Sequence, residues 1–507
     1  MASTDDPFVT LLPPFEGGIE GFTRSSFFLY YGIGLLILVL IFRHNTNKAK
    51  CFDMDGVPMK EMRISPKAAV LFKPQISKQG ENLAHDEPYI IRDGNYYEVV
   101  LHTAEHVREF LRNDSKDHFK PDSLGYGDYF YRVLGQCVGA LNGEQWQVVR
   151  SYFDPAYTHN ASLVMLSPFQ TEVSKWLNML KNDSLRTGVG RLVVHVPTSC
   201  KVLTLRVLPQ SFFGDAYDND LERISQLQAL ALKYAVTGRW QKYRWFNVLP
   251  TPSRRHLDLY HQDWHAFNIE ILENARKKGL VIPAEHVFKG VQPANAISMD
   301  QYLQTIDEML FTNIEVTGSI LTFMFSQLAK HQDFQQRLYE EIVAQKAEEI
   351  FGVRNYVTQQ TTLLHYFTLE CVRLRPATWF SAPECIAIDK VIGRYKIPAQ
   401  TPVVIDVRRL NTHALTWGPD GAEFRPERFA SLSPNEYRYG YMRFGVSGKC
   451  LGKHMADILM KVAMITVLEQ YRIEEVEMNI GVKDGDMAFI KRKKVENHKN
   501  GSGKKHQ

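Results

Sequence analysis

The stretch "RFGVSGKCLGKHMADILMK", Arg443–Lys461, decides the fold: one cysteine stands between glycines, a lysine precedes it and an amphipathic run follows. A cysteine ligates or attacks as its thiolate, so a site that uses one must supply positive potential and hydrogen-bond donors. Gly445, Gly448 and Gly452 let backbone N–H groups approach the sulfur of Cys450. Lys449 adds a charge, and a helix starting near Lys453 aims its positive end at the thiol. Met455, Ile458, Leu459, Val462, Met464, Ile465 and Leu468 give that helix an apolar side for the core. An isolated cysteine is most often a small buried hydrophobe, and here the neighbours argue for ligation instead.

The chain has 507 residues with no compositional break in its middle, which reads as one large globular unit. Sixty Lys and Arg against 56 Asp and Glu leave a net charge of +4, too small over this length to argue for nucleic acid. The six cysteines are scattered, without the close pairs of a zinc site, and read as reduced thiols in a cytosolic environment. The uncharged run "SSFFLYYGIGLLILVLIF", Ser25–Phe42, is about as long as the shortest membrane-spanning helices. Acidic residues precede it and Arg43, Lys48 and Lys50 follow, so residues 1–24 are expected on the lumenal side and the body in the cytosol. Residues 43–63 read as a linker, 64–490 as the catalytic domain and 491–507 as a basic flexible tail. Its last residues, "KKHQ", place two lysines where a dilysine retrieval signal of the endoplasmic reticulum has them.

Helical composition dominates: Glu105–Asn113, Gln145–Tyr152, Leu221–Ala235, Asp300–Gln332, Asp333–Glu349, Leu363–Leu374 and Lys453–Tyr471 are expected as helices. "YEVVLHT" and "TPVVIDVRR" have strand character. The fold class expected is mainly α with small β-sheets, preceded by one N-terminal transmembrane helix.

The cysteine stretch resembles the haem-binding loop of the cytochromes P-450, where a Phe- and Gly-rich turn presents a thiolate to haem iron. Cys450 and Gly452 match that pattern directly. Phe444 stands six positions before the cysteine instead of seven, and Gly448 replaces the usual arginine with Lys449 one step later. Other segments follow in the family's order. Glu370 and Arg373 in "TLECVRLRP" lie three apart on one helix face, and "FRPERF" supplies Arg428. The resemblance makes these three a structural lock on the cysteine side of the haem. In "NGEQWQVVRSYF", Trp146 and Arg150 are four apart, and the resemblance gives them a haem propionate to hold. In "LFTNIEVTGS", the family's acid and alcohol align with Glu315 and Thr317, while Val316 stands at the usual first threonine and Asn313 at the usual glycine. Glu315, Thr317 and Asn313 are therefore the expected proton-handling group.

The resemblance, closest to filamentous-fungal enzymes of secondary metabolism, implies haem b with an axial Cys450 thiolate. Electrons would come from NADPH through a membrane-bound reductase carrying FAD and FMN. It further implies oxidation of a small organic substrate using dioxygen, by a single-pass protein of the endoplasmic reticulum with its catalytic domain in the cytosol. Two other readings stand beside it: a haem-thiolate enzyme that inserts no oxygen, and a non-catalytic haem protein.

Overall fold

The structure, a computed structural model, describes residues 32–37, 51–64, 74–94, 96–112, 118–183, 185–188, 190–217, 220–236, 246–347, 352–446, 449–477 and 483–492. The chain divides into two compact units, Met1–Ala49 and Lys50–Gln507. Within the first, residues 32–37 are helical; the rest of the expected anchor lies outside the described residues, as do Gly448 and the "KKHQ" end.

In the second unit the principal helices are α1 (Gly143–Tyr157), α2 (Leu166–Asp183), α3 (Val196–Phe213), α4 (Pro252–Lys278), α5 (Met299–Lys330), α6 (Leu363–Leu374) and α7 (Lys453–Leu468). Their ends follow local chemistry. Ser298 and Gln301 form a reciprocal capping box at the start of α5. Thr362 caps α6 by accepting from the His365 N–H. Gly279, at φ 65°, takes the left-handed conformation that stops α4. Three of these helices, α2, α3 and α4, were not among those expected from the sequence, although α2 and α4 carry buried residues at helical spacing, Phe169, Val173, Trp176, Leu177 and Leu180 in α2 and Leu257, Tyr260, Trp264 and Ile271 in α4.

The core gathers around α5 and α7. Ile306, Leu310, Leu321, Met324, Phe325 and Leu328 of α5 are buried, and α7 is apolar nearly all round, as a central helix must be. Among the described residues α5 is the one helix long and apolar enough to cross a membrane, but more than half of its apolar window is buried inside the protein, as in a core helix.

The main sheet has six strands among the described residues: β1 (Glu61–Arg63), β2 (Tyr89–Asp93), β3 (Tyr96–Leu101), β4 (His118–Phe119), β5 (Glu384–Ile386) and β6 (Pro402–Ile405), in the order β1-β2-β3-β6-β5-β4. Parallel pairing of β3 with β6 sets Val99 beside Val403. The strand expected over "TPVVIDVRR" stops at Ile405, because Asp406 turns the chain and caps a helix over Val407–Thr412, its Oδ1 accepting the Arg409 N–H at 3.1 Å. The outcome is mainly α with small sheets, as the composition implied.

His102, directly after β3, is fully buried, and burial first, then the Arg409 charge, depresses its pKa to about 2. His106 follows the same cause to about 4. Asp406, buried beside them, is raised to about 6. A depressed histidine leaves the folded state short of protons below the unfolded value near 6.5, so acid destabilises the fold by about 1.4 kcal/mol per pH unit for each such group. Asp406 acts in the opposite sense between about 6 and its ordinary value. His102→Phe should therefore flatten the loss of thermal stability between pH 6.5 and 5; melting curves of unchanged pH dependence would contradict this.

Candidate active site

The cysteine loop is built before α7. Phe444 and Gly445 take φ values of 61° and 79°, and the Cys450 N–H returns to the Phe444 carbonyl at 3.0 Å, closing the turn. Gly452 ends the loop as the N-cap of α7 and gives its N–H to the Cys450 thiol. Burial raises the Cys450 pKa, the Gly452 N–H and the charges of Arg150 and Lys453 lower it, and Glu308 raises it. The other five cysteines are buried, whereas Cys450 keeps accessible surface.

Below the loop lies a buried ionic lattice. Arg373 meets Glu370 through a two-pronged contact of 2.7 and 2.8 Å, both side chains fully buried. Arg428 joins the same carboxylate at 3.1 Å, and its remaining N–H groups reach the carbonyls of Trp417, Asp420 and Glu423. Arg373 also donates to the carbonyls of Asn411 and Gly421 and covers the Trp417 ring at 4.8 Å. Asn411 then accepts the Met442 N–H at 2.8 Å, two residues before Phe444. The lattice thus holds the segment entering the cysteine loop.

From the other side, α1 brings Trp146 and Arg150 together, with the guanidinium 5.7 Å from the indole. Arg150 bonds Asp154 at 2.5 Å and the Lys449 carbonyl at 2.7 Å, so it touches the residue next to Cys450. Lys449 extends to Glu384 at 3.7 Å, and Glu384 holds His118 Nδ1 at 3.1 Å. His118 Nε2 is buried with no partner. His118, Glu384 and Lys120 carry no sequence pattern that marks them; strand pairing of β4 with β5 brings the first two together.

On α5 the expected trio is not joined. Glu315 pairs with Lys201 of α3 at 2.8 Å on a half-exposed surface. The Asn313 amide bonds back to the Met309 carbonyl of its own helix at 2.6 Å. Thr317, 3% exposed, is two positions past Glu315 and hence turned about 200° around the helix from it. Glu308, two turns before Glu315, is a partly buried carboxyl missed in the sequence; its signal is a pair of adjacent acids, Asp307 and Glu308, inside an apolar helix. A separate cleft of 430 Å³ opens at the start of α5 among Tyr131, Arg132, Tyr260, Trp264 and Asp300, and no expected site residue lines it.

The profile of the cytochrome P450 family matches residues 83–498, and the chain belongs to that family of haem-thiolate oxidoreductases. It is 40% identical over 406 residues to the cytochrome P450 monooxygenase lepD of Aspergillus flavus, covering 79% of this chain and 80% of that one. To the cytochrome P450 monooxygenase apdB of Emericella nidulans it is 34% identical over 470 residues, with 87% and 90% covered. A crystal structure of a cytochrome P450, CYP102L1, superposes with a TM-score of 0.66 at 19% identity over 86% of this chain and 99% of that one, a likeness of fold.

Arg373→Ala should cost about 3–5 kcal/mol, since it removes both short contacts to the buried Glu370 carboxylate and leaves the buried carbonyls of Asn411 and Gly421 without their donor. Arg337, whose pair with Glu427 is largely exposed, should cost under about 1 kcal/mol when changed to Ala. Chemical unfolding of the two variants checks the ranking, and equal losses would remove the lattice from its central place.

Proposed function

We propose that Cys450 would hold the iron of haem b through its thiolate and that the protein oxidises a small organic molecule with dioxygen and NADPH-derived electrons. The observation that carries this is the donor set around one thiol: a helix N-terminus and the Gly452 N–H at the sulfur, with Arg150, Trp146 and Lys449 beside it. Those residues fit the group. A haem brings one iron for a thiolate and two propionates for cations, and the Arg150 guanidinium and the Lys449 ammonium beside the sulfur are groups suited to a carboxylate. Phe444 and Gly452 shape the loop on the cysteine side, while Glu370, Arg373 and Arg428 hold it from below. Once bound, the haem supplies activation of dioxygen with a strongly donating sulfur ligand.

The chain's own residues then bind and move protons. Glu315 is assigned as the proton-entry group, since it pairs with Lys201 through Oε1 and its side chain is partly open to solvent. Thr317 and Asn313 are assigned to orient water further in. Electrons are assigned to an FAD- and FMN-bearing reductase in the membrane, docking on the cysteine side. Residues 25–42 are assigned as the anchor in the endoplasmic-reticulum membrane, with 1–24 lumenal and 64–490 as the cytosolic catalytic domain. A fungal secondary metabolite is the substrate class favoured by relatives from Aspergillus and Emericella.

A second reading has its own support. Val316 stands where a threonine is usual, and Glu315 and Asn313 are bonded elsewhere, which favours a haem-thiolate reaction without net oxygen insertion. Isotopic dioxygen separates the two: label in the product is the expected result, and turnover without label would transfer the assignment to the second reading. Cys450→Ala should abolish haem-thiolate absorption in protein that still folds, and an unaltered spectrum would free Cys450 of its role. Thr317→Ala should divert NADPH consumption away from product, whereas unchanged coupling would return Thr317 to helix packing.

A further inference from the structure

Arg443 stands seven residues before Cys450, and Asp457 stands seven residues after it. Arg443 Nη1 lies 3.6 Å from Asp457 Oδ1, so an ion pair joins the chain entering the cysteine loop to α7, the helix that leaves it. The two side chains are 26% and 21% exposed, too enclosed for a solvated surface pair. Asp457 turns its other oxygen to the Lys461 ammonium at 2.8 Å, one turn further along α7. Lys461 is itself buried and also donates to the Val357 carbonyl at 2.8 Å. Burial pushes the Asp457 carboxyl up, but the Lys461 and Arg443 charges outweigh it and hold the group below the ordinary carboxylate range.

This pair stands one residue from the turn that sets the sulfur. The Glu370 lattice holds the chain at Met442, through Asn411, and Asp457 holds the residue after it. The Arg443 guanidinium also covers the Phe444 ring at 4.9 Å, and the Phe444 carbonyl accepts the Cys450 N–H at 3.0 Å. At φ 61° Phe444 has a left-handed backbone, which a residue with a side chain keeps only where its surroundings fix it. Arg443 Nη1 and Asp457 Oδ1 are buried without a hydrogen bond, so the opposite charge is what compensates each of them.

We propose that Asp457 is a positioning residue for the Cys450 thiol: paired with Arg443, it fastens the two ends of the cysteine loop together and keeps Phe444 in the conformation that receives the Cys450 N–H. Lys461 takes one carboxylate oxygen and leaves the other aimed at Arg443. Without the pair, the Gly452 N–H at the start of α7 still meets the sulfur, but the entering side of the loop is tied only as far as Met442. The thiol is then held from one side. The inference rests on the assignment of Cys450 as haem ligand for its consequence at the iron, and on the ion pair alone for the position of the loop.

The test follows alkylation of Cys450 by iodoacetamide in the full-length protein in lipid nanodiscs, read by peptide mass spectrometry well below the melting temperature. The reduced carbon-monoxide spectrum is recorded on the same samples. Arg443→Gln removes the partner on the loop. Asp457→Asn combined with Lys461→Met removes the carboxylate and its buried cation together, so that no lone charge is left inside. Each variant should label Cys450 about fivefold faster than the wild type, by local opening of the loop. All three changes together should label it no faster than either variant, because both act on one contact. The variants should also lose part of the thiolate band that the wild type shows. Wild-type labelling rates in Arg443→Gln, even with a lowered melting temperature, would overturn the proposal, and so would effects that multiply when the changes are combined. A wild type without a thiolate band would instead count against the haem assignment, while the labelling ratios still judge the ion pair.

Discussion

The contact of Arg373 and Arg428 with one buried carboxylate, Glu370, is the constraint on which the site depends. Two guanidinium groups and a carboxylate, all nearly inaccessible to water, are tolerable together and costly singly, because each charge removed from water needs its partners in place. The remaining N–H groups of both arginines end on backbone carbonyls of the segment from Asn411 to Glu423. Charge pairing on α6 thereby fixes the path of a segment made of short helical turns, whose own backbone hydrogen bonds are local. Asn411 hands that order on to Met442, and the turn of Phe444 and Gly445 then sets where the sulfur of Cys450 stands.

A second constraint comes from the opposite wall. Arg150 clamps the Lys449 carbonyl from α1, and the His118–Glu384–Lys449 chain ties the edge of the main sheet to the same loop. Family patterns usually put an arginine two positions before the cysteine. In this chain the basic side chain is one position later and leans on an acid from β5, so the electrostatic balance beside the thiol is drawn from the sheet as well as from the loop.

Much of this was legible in the sequence where the chemistry is local. The Glu-x-x-Arg spacing, the helix after Cys450 and the four-residue step from Trp146 to Arg150 each depend on helical periodicity, which a sequence displays directly. What stayed hidden depends on long-range pairing. His118 and Glu384 meet because β4 lies against β5, 266 positions away in the chain. Glu315 was legible as an acid, but its partner Lys201 comes from α3, a helix whose mixed polarity concealed it. The trio Glu315, Asn313 and Thr317 matched a pattern by position, while the turn of the helix points their side chains to different neighbours. Glu308 was visible as a charge in an apolar run and passed over because no pattern names it.

The most direct test of the central claim is the reduced carbon-monoxide difference spectrum of the full-length protein in membranes. A strongly red-shifted Soret band is the result expected if Cys450 holds the iron as a thiolate despite the shortened loop. A band at the position of a histidine-ligated haem, or no band from protein shown to be folded, would contradict the account.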